Sequence, residues 1–203
     1  LPEVVGVVAI AAAPWLILSS KLRGLYDPDS FWHILSGELV ARERSVTTGD
    51  PFGSFTTGTW VHLDWLSDLA MASANAVAGL AAVAWLYTVL DILLFFAIYL
   101  ACRARAGILP SGIAATVGWL GAVASLGQRP QTVSFILIAV TMLAWGAILG
   151  GSARPPWWLI PLTWVWAMVH GSWVVGVATS ALLAVVTVLA DRRRLTAWHY
   201  LAA

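Results

Sequence analysis

Along the chain, apolar positions gather in long continuous runs rather than in alternating or narrow-stripe patterns. A bilayer-crossing helix needs about 20 mainly apolar residues. Runs of that kind cover residues 3–20, 81–101, 108–127, 130–150, 157–170 and 172–190. The pattern predicts an all-α, polytopic helical membrane protein with about six transmembrane helices. The last two runs are joined only by VHGS, which predicts a tight helical hairpin or one long kinked segment. The run at 4–20 lacks the basic leader of a signal peptide and is followed by Lys21 and Arg23, so it reads as a membrane helix.

Residues 21–80 break this pattern and form one long polar stretch. Within it, SFWHILSGELVARER sets Phe31, Ile34, Leu35 and Leu39 on one helical stripe, the mark of a helix lying in the membrane interface. VTTGDPFGSFTTGTW is rich in Gly and Thr and predicts a loop. HLDWLSDLAMASANAVAGL then resumes a helical period, with Leu63, Leu66, Leu69 and Ala70 together, as a second interfacial or dipping helix. No repeat, low-complexity tract or linker is visible, so residues 1–203 read as one integral-membrane domain: a first span at 3–20, an external loop at 21–80 and a helical bundle at 81–190.

Composition agrees with the membrane reading. Of 203 residues, 60% are apolar and only 10% charged, against about a quarter charged in soluble domains. Eleven basic and ten acidic residues leave a formal charge of +1, which offers no footprint for nucleic acid. Cys102 is alone, so no intrachain disulfide can form, and its place at the end of an apolar run suits a buried, inert thiol. Setting Arg103, Arg105, Arg154 and Arg192 to Arg194 on the cytoplasmic side leaves residues 21–80, Arg129 and His170 together on the opposite face.

That shared face holds the candidate chemistry. In YDPDSFWHIL, Asp27 suits a helix cap ahead of Pro28, and Asp29 suits the positive helix end. Capping explains one acid better than two, and the pair could equally serve as base and cation ligand. His33 lies four residues after Asp29, so on a helix the two share a face; His33 could tune Asp29, contact a phosphate, or reach toward water. Trp32, Trp60 and Trp65 are interface anchors or sugar-stacking platforms. Asp50 in TGDPF reads as a turn residue, and His62, Asp64 and Asp68 fit a polar helix face as well as a site. Arg129 stands between two apolar runs, where a charge needs an acidic partner, a phosphate or a path to water. His170 sits with Gly171 at a turn on the same face. Asp91 is within a span, where it should be neutral or paired to another helix rather than catalytic.

Three ordered segments carry a resemblance. The stretch DPDSFWHILSGELVARERSVTTGDPFGSFTTGTWVHLDWLSDLA resembles the first external loop of bacterial multi-pass proteins related to the GT-C glycosyltransferases. QRPQTVSFIL at 128–137 and WAMVHGSWVVG at 166–176 also look like segments of that family. The resemblance implies an integral-membrane transferase that moves a sugar from a polyprenyl-phosphate donor to an external acceptor, its active face non-cytoplasmic in a bacterial plasma membrane. It implies catalytic Asp27 and Asp29, with a divalent cation (Mg or Mn) held by the same pair, and His33, Arg129 and His170 as substrate-binding residues. Family members are longer, so the resemblance implies that this chain is the N-terminal part of such a protein. The alternative from another class is a non-enzymatic lipid-handling, transport or assembly protein with the same fold.

Overall fold

A computed structural model describes residues 2–21, 27–50, 52–55, 58–150 and 156–190. Arg154 and Arg192 to Arg194, on which the orientation leans in part, lie outside the described residues, as does Arg23. The described elements are α1 (Pro2–Lys21), α2 (Asp29–Glu43), β1 (Thr47–Gly49), β2 (Thr59–Val61), α3 (Trp65–Arg103), α4 (Ile108–Ala122), a 3-10 turn (Val123–Ser125), α5 (Gln131–Leu149), α6 (Leu159–Val169) and α7 (Trp173–Ala190).

Every apolar run expected to be a span is helical, but three helical stretches are both long and apolar enough to cross a membrane: Trp65–Arg103, Ile108–Ser125 and Gln131–Leu149. Among the described residues three candidate spans therefore result, against the six expected. α6 has 11 residues and rises only about 16 Å, half of a hydrocarbon core about 30 Å thick.

α3 is the axis of the structure, packing against α1, α2, α4, α5 and α6. The expected boundary at residue 80 coincides with a kink: Ala78 and Gly79 leave helical φ/ψ and divide α3 into the helix foreseen before that point and the span foreseen after it. Gly79 has φ +68°, a conformation that a residue without a Cβ adopts at little cost, so the helical backbone is interrupted there. The cores lie along this axis. Ile17 of α1, Leu94 and Phe95 of α3 and Ala115 and Trp119 of α4 form one. Ile34 of α2 with Met71, Val83 and Tyr87 of α3 forms a second. Ala144, Trp145 and Ile148 of α5 and Leu159 of α6 form a third.

Two further expectations change. The Gly/Thr-rich stretch is not all loop, because β1 and β2 pair antiparallel with Thr47 opposite Val61 and Thr48 opposite Trp60. The β-branched Thr and Val residues at its ends favour extended backbone once a partner strand is present. The apolar stripe of α2 also divides: Ile34 and Leu39 are buried while Phe31 and Leu35 are exposed. Its packed face is instead Ser30, Ile34, Gly37 and Val40, a helical period of smaller residues.

Gly37 decides how close α2 comes to α3. A Cβ there would run into the Asp68 carbonyl group and stand 2.8 Å from the Ala72 Cβ. Replacing Gly37 with Ala gains about 1 kcal/mol of helix propensity, but the obstruction is backbone that cannot rotate away. The clash should win: we expect Gly37→Ala to lower unfolding stability by about 1–3 kcal/mol, read by thermal unfolding in detergent. An unchanged or raised transition would contradict the close approach.

Candidate functional site

The segment ahead of α2 is tied to the turn between α4 and α5. Arg129 donates from Nε to Asp27 Oδ2 and from a terminal nitrogen to Asp29 Oδ2, the latter at 2.9 Å. Asp27 Oδ1 accepts the Asp29 backbone amide at 3.1 Å, so one oxygen orders the start of α2 and the other holds the cation. Alongside, the buried Ser30 hydroxyl donates to the Gln128 carbonyl at 3.0 Å. Gly127 makes room, since a Cβ there would collide with the Asp27 carboxylate. A polar hollow of about 400 Å³ opens beside the cluster, lined by Asp27, Pro28, residues 124–129 and Gln131.

The two acids are not equivalent. Asp27's side chain is 9% exposed and Asp29's 54%. Burial opposes the charge of Asp27, but the Arg129 guanidinium, the Asp29 amide and the field of His33 outweigh it and hold the carboxyl below its usual range. Asp27 hydrogen-bonding raises the Arg129 guanidinium against the opposing effect of desolvation. Asp27 is thus a fixed anion, and Asp29 the more accessible carboxylate.

His33 and His170 stand at a second hollow. His33 Nδ1 is 2.7 Å from Asp68 Oδ1, a buried carboxylate on α3, rather than turned to Asp29 one helical turn away. Ser67 donates to the Val169 carbonyl at 2.9 Å and brings the turn after α6 to the same place. His170 accepts the Ser172 amide at Nδ1, 3.2 Å away, which leaves the proton of the neutral ring on Nε2. His33, Asp68 and His170 line a hollow of about 350 Å³ together with Trp32, Trp60, His62 and Asp64. Burial raises the Asp64 carboxyl and the neighbouring Asp68 adds to the rise; His170, His33 and the Gly171 amide work against it. In the sequence His62, Asp64 and Asp68 fit a polar helix face as well as a site; their partners on β1, on α2 and in the turn after α6 distinguish them.

Other polar residues have simpler roles. Asp50 Oδ1 accepts the amides of Phe52 and Gly53, each at 3.0 Å, as a turn-forming side chain does. Asp91 is fully buried within α3, away from both hollows' linings. A hollow of about 700 Å³ between α5, α6 and α7 has no ionisable side chain in its wall.

The expected Mg or Mn ion meets a poor donor set. Asp27 and Asp29 are turned to Arg129, and among the described residues no three His, Cys, Asp or Glu side chains converge to hold a metal ion. The arrangement does not fit that cofactor. No family model, curated protein or solved structure matches the chain.

The Asp27 interaction has a pH signature. Its folded carboxyl lies below its unfolded value, so its stabilisation is fully present above about pH 4 and is lost as pH falls through the folded value. Asp27→Asn should remove about 1–3 kcal/mol at neutral pH, less than a fully buried pair because Arg129 is 38% exposed. It should also flatten the acid-side decline in thermal stability. An equal decline in wild type and variant would show that Asp27 does not carry it.

Proposed function

We propose that the chain is an integral-membrane glycosyltransferase of the GT-C kind, moving a sugar from a polyprenyl-phosphate donor to an acceptor on the non-cytoplasmic face of a bacterial plasma membrane. The observation that carries this reading is the meeting of Asp27, Asp29 and Arg129, from distant parts of the chain, beside a polar hollow. A lipid-linked phosphate is confined near the bilayer surface while a water-borne acceptor approaches from outside. A catalyst for both therefore needs its charged groups beside the ends of the membrane helices.

The cluster has one cation and two carboxylates, hence a formal charge of −1. A phosphate reaches Arg129 only by displacing a carboxylate, and the exposed Asp29 is the one that gives way. Asp27 keeps the guanidinium oriented, leaving its remaining N–H groups to the phosphate. The freed Asp29 then takes the proton of the acceptor hydroxyl. The acceptor oxygen bonds to the anomeric carbon, the carbon–oxygen bond to phosphate breaks, and its electron pair leaves on the polyprenyl phosphate. Arg129 stabilises that developing charge. In this scheme His33 borders the sugar, one turn of α2 from the base, and His170 faces the same space.

The test is transfer of labelled sugar from undecaprenyl-phosphate-linked hexoses and pentoses by the protein in liposomes. Asp29→Asn should reduce turnover roughly 10²–10⁴-fold while leaving yield and thermal stability near those of wild type. Wild-type protein inert toward every donor would end the transferase reading. A variant that loses yield instead would make the cluster a structural strut and favour a non-enzymatic lipid-handling role.

A further inference from the structure

An apolar groove of about 590 Å³ runs between α3, α4 and α5. Its floor includes the buried Leu94, Ala139 and Trp145, and its rim the exposed Met142 and Leu149. Small residues make the room, among them Gly118 and Ala122 on α4 and Gly146 on α5. At Gly146 a Cβ would meet nothing within 4 Å, so the helix surface there opens onto empty space. Along α5 the wall extends from Phe135 to Leu149, a rise of about 21 Å, more than the ~15 Å of hydrocarbon in one leaflet.

Among the described residues Arg105 is the one charged side chain in this wall. It stands at the far end of α5 from the Asp27 cluster, bonding the Gly146 carbonyl, about 22 Å of helix beyond the start of α5 at Gln131. Arg103 is exposed at the same end of α3. Arg103 donates to the Ala106 carbonyl and Arg105 to the Gly146 carbonyl, which orients both groups. Neither pairs with a carboxylate among the described residues. A guanidinium carries five donors, so each keeps N–H groups for an anion.

The groove and its cations constrain the occupant together. An uncharged lipid fills the groove but leaves the arginines unanswered, and a water-borne anion answers them but leaves the apolar wall uncovered. An amphiphile with acyl chains and one anionic head does both. Basic pockets between membrane helices hold phospholipid heads in this way. We propose that the groove between α3, α4 and α5 binds an anionic glycerophospholipid, with one acyl chain along Leu94, Ala139 and Gly146 and the phosphate on Arg105. Arg103 adds to the attraction. This site is separate from Arg129 and makes no use of the transferase reading.

Cys102 is the chain's only cysteine, half-buried in the wall of the groove, and so reports on its occupancy. The full chain in phosphatidylcholine nanodiscs is given increasing phosphatidylglycerol, and the rate of Cys102 alkylation by uncharged N-ethylmaleimide is measured. Alkylation should slow about fivefold or more and saturate as phosphatidylglycerol rises. Arg105→Gln alters an exposed side chain and should move half-protection to about fivefold more phosphatidylglycerol, the effect of one basic residue at an anionic surface. Gly146→Leu fills the groove and should abolish the protection while the melting curve stays cooperative. A rate indifferent to phosphatidylglycerol would overturn the assignment, as would the same half-protection in Arg105→Gln, the mark of surface charge alone. So would protection persisting in folded Gly146→Leu, or stronger protection by undecaprenyl phosphate at equal mole fraction.

Discussion

The ion pair between Arg129 and Asp27 is the constraint around which the polar end of this protein is arranged. It joins residues 102 positions apart and brings the segment leading into α2 against the turn that opens α5. Without it, an arginine between apolar segments and a mostly buried carboxylate would each bear an uncompensated desolvation cost. Gly127 is the steric condition for the pair, since any side chain there would occupy the space of the carboxylate. Ser30, bonding to the Gln128 carbonyl, extends the same seam by one buried hydrogen bond.

The start of α2 lies between two hollows, Asp27 and Pro28 ahead of the helix lining one and Trp32, His33 and Ser36 within it lining the other. Its first residues meet Arg129, and one turn later His33 meets Asp68 across the α2 and α3 contact. That second meeting depends on Gly37, which lets the two backbones approach where Asp68 sits. The two hollows differ in chemistry. One centres on a guanidinium that an anion could engage by displacing Asp29. The other is lined by histidines and carboxylates and has aromatic side chains at its rim.

Much of the scaffold was legible because membrane helices announce themselves by composition: each apolar run became a helix. The number of candidate spans was less legible, since length and packing decide it, and α6 is too short although wholly apolar. The boundary near residue 80 was legible because apolar sequence takes over from polar there, and the helical backbone is interrupted at Ala78 and Gly79. The hairpin was missed because three-residue strands have no period to detect. Within the site, Asp27, Asp29 and Arg129 stood out as charges set against apolar runs. His62, Asp64 and Asp68 did not. Their local spacing is that of an ordinary polar face, and their partners lie across the fold on β1, α2 and the turn after α6.

The central claim is that Asp27 and Arg129 are energetically one unit. A double-mutant cycle with Asp27→Asn, Arg129→Gln and the combined variant, measured as unfolding free energy in detergent, tests this most directly. The account predicts a coupling energy of about 1 kcal/mol or more, with the double variant less destabilised than the sum of the singles. Additivity within about 0.3–0.5 kcal/mol would mean that the two side chains act independently, and the polar centre described here would lose its foundation.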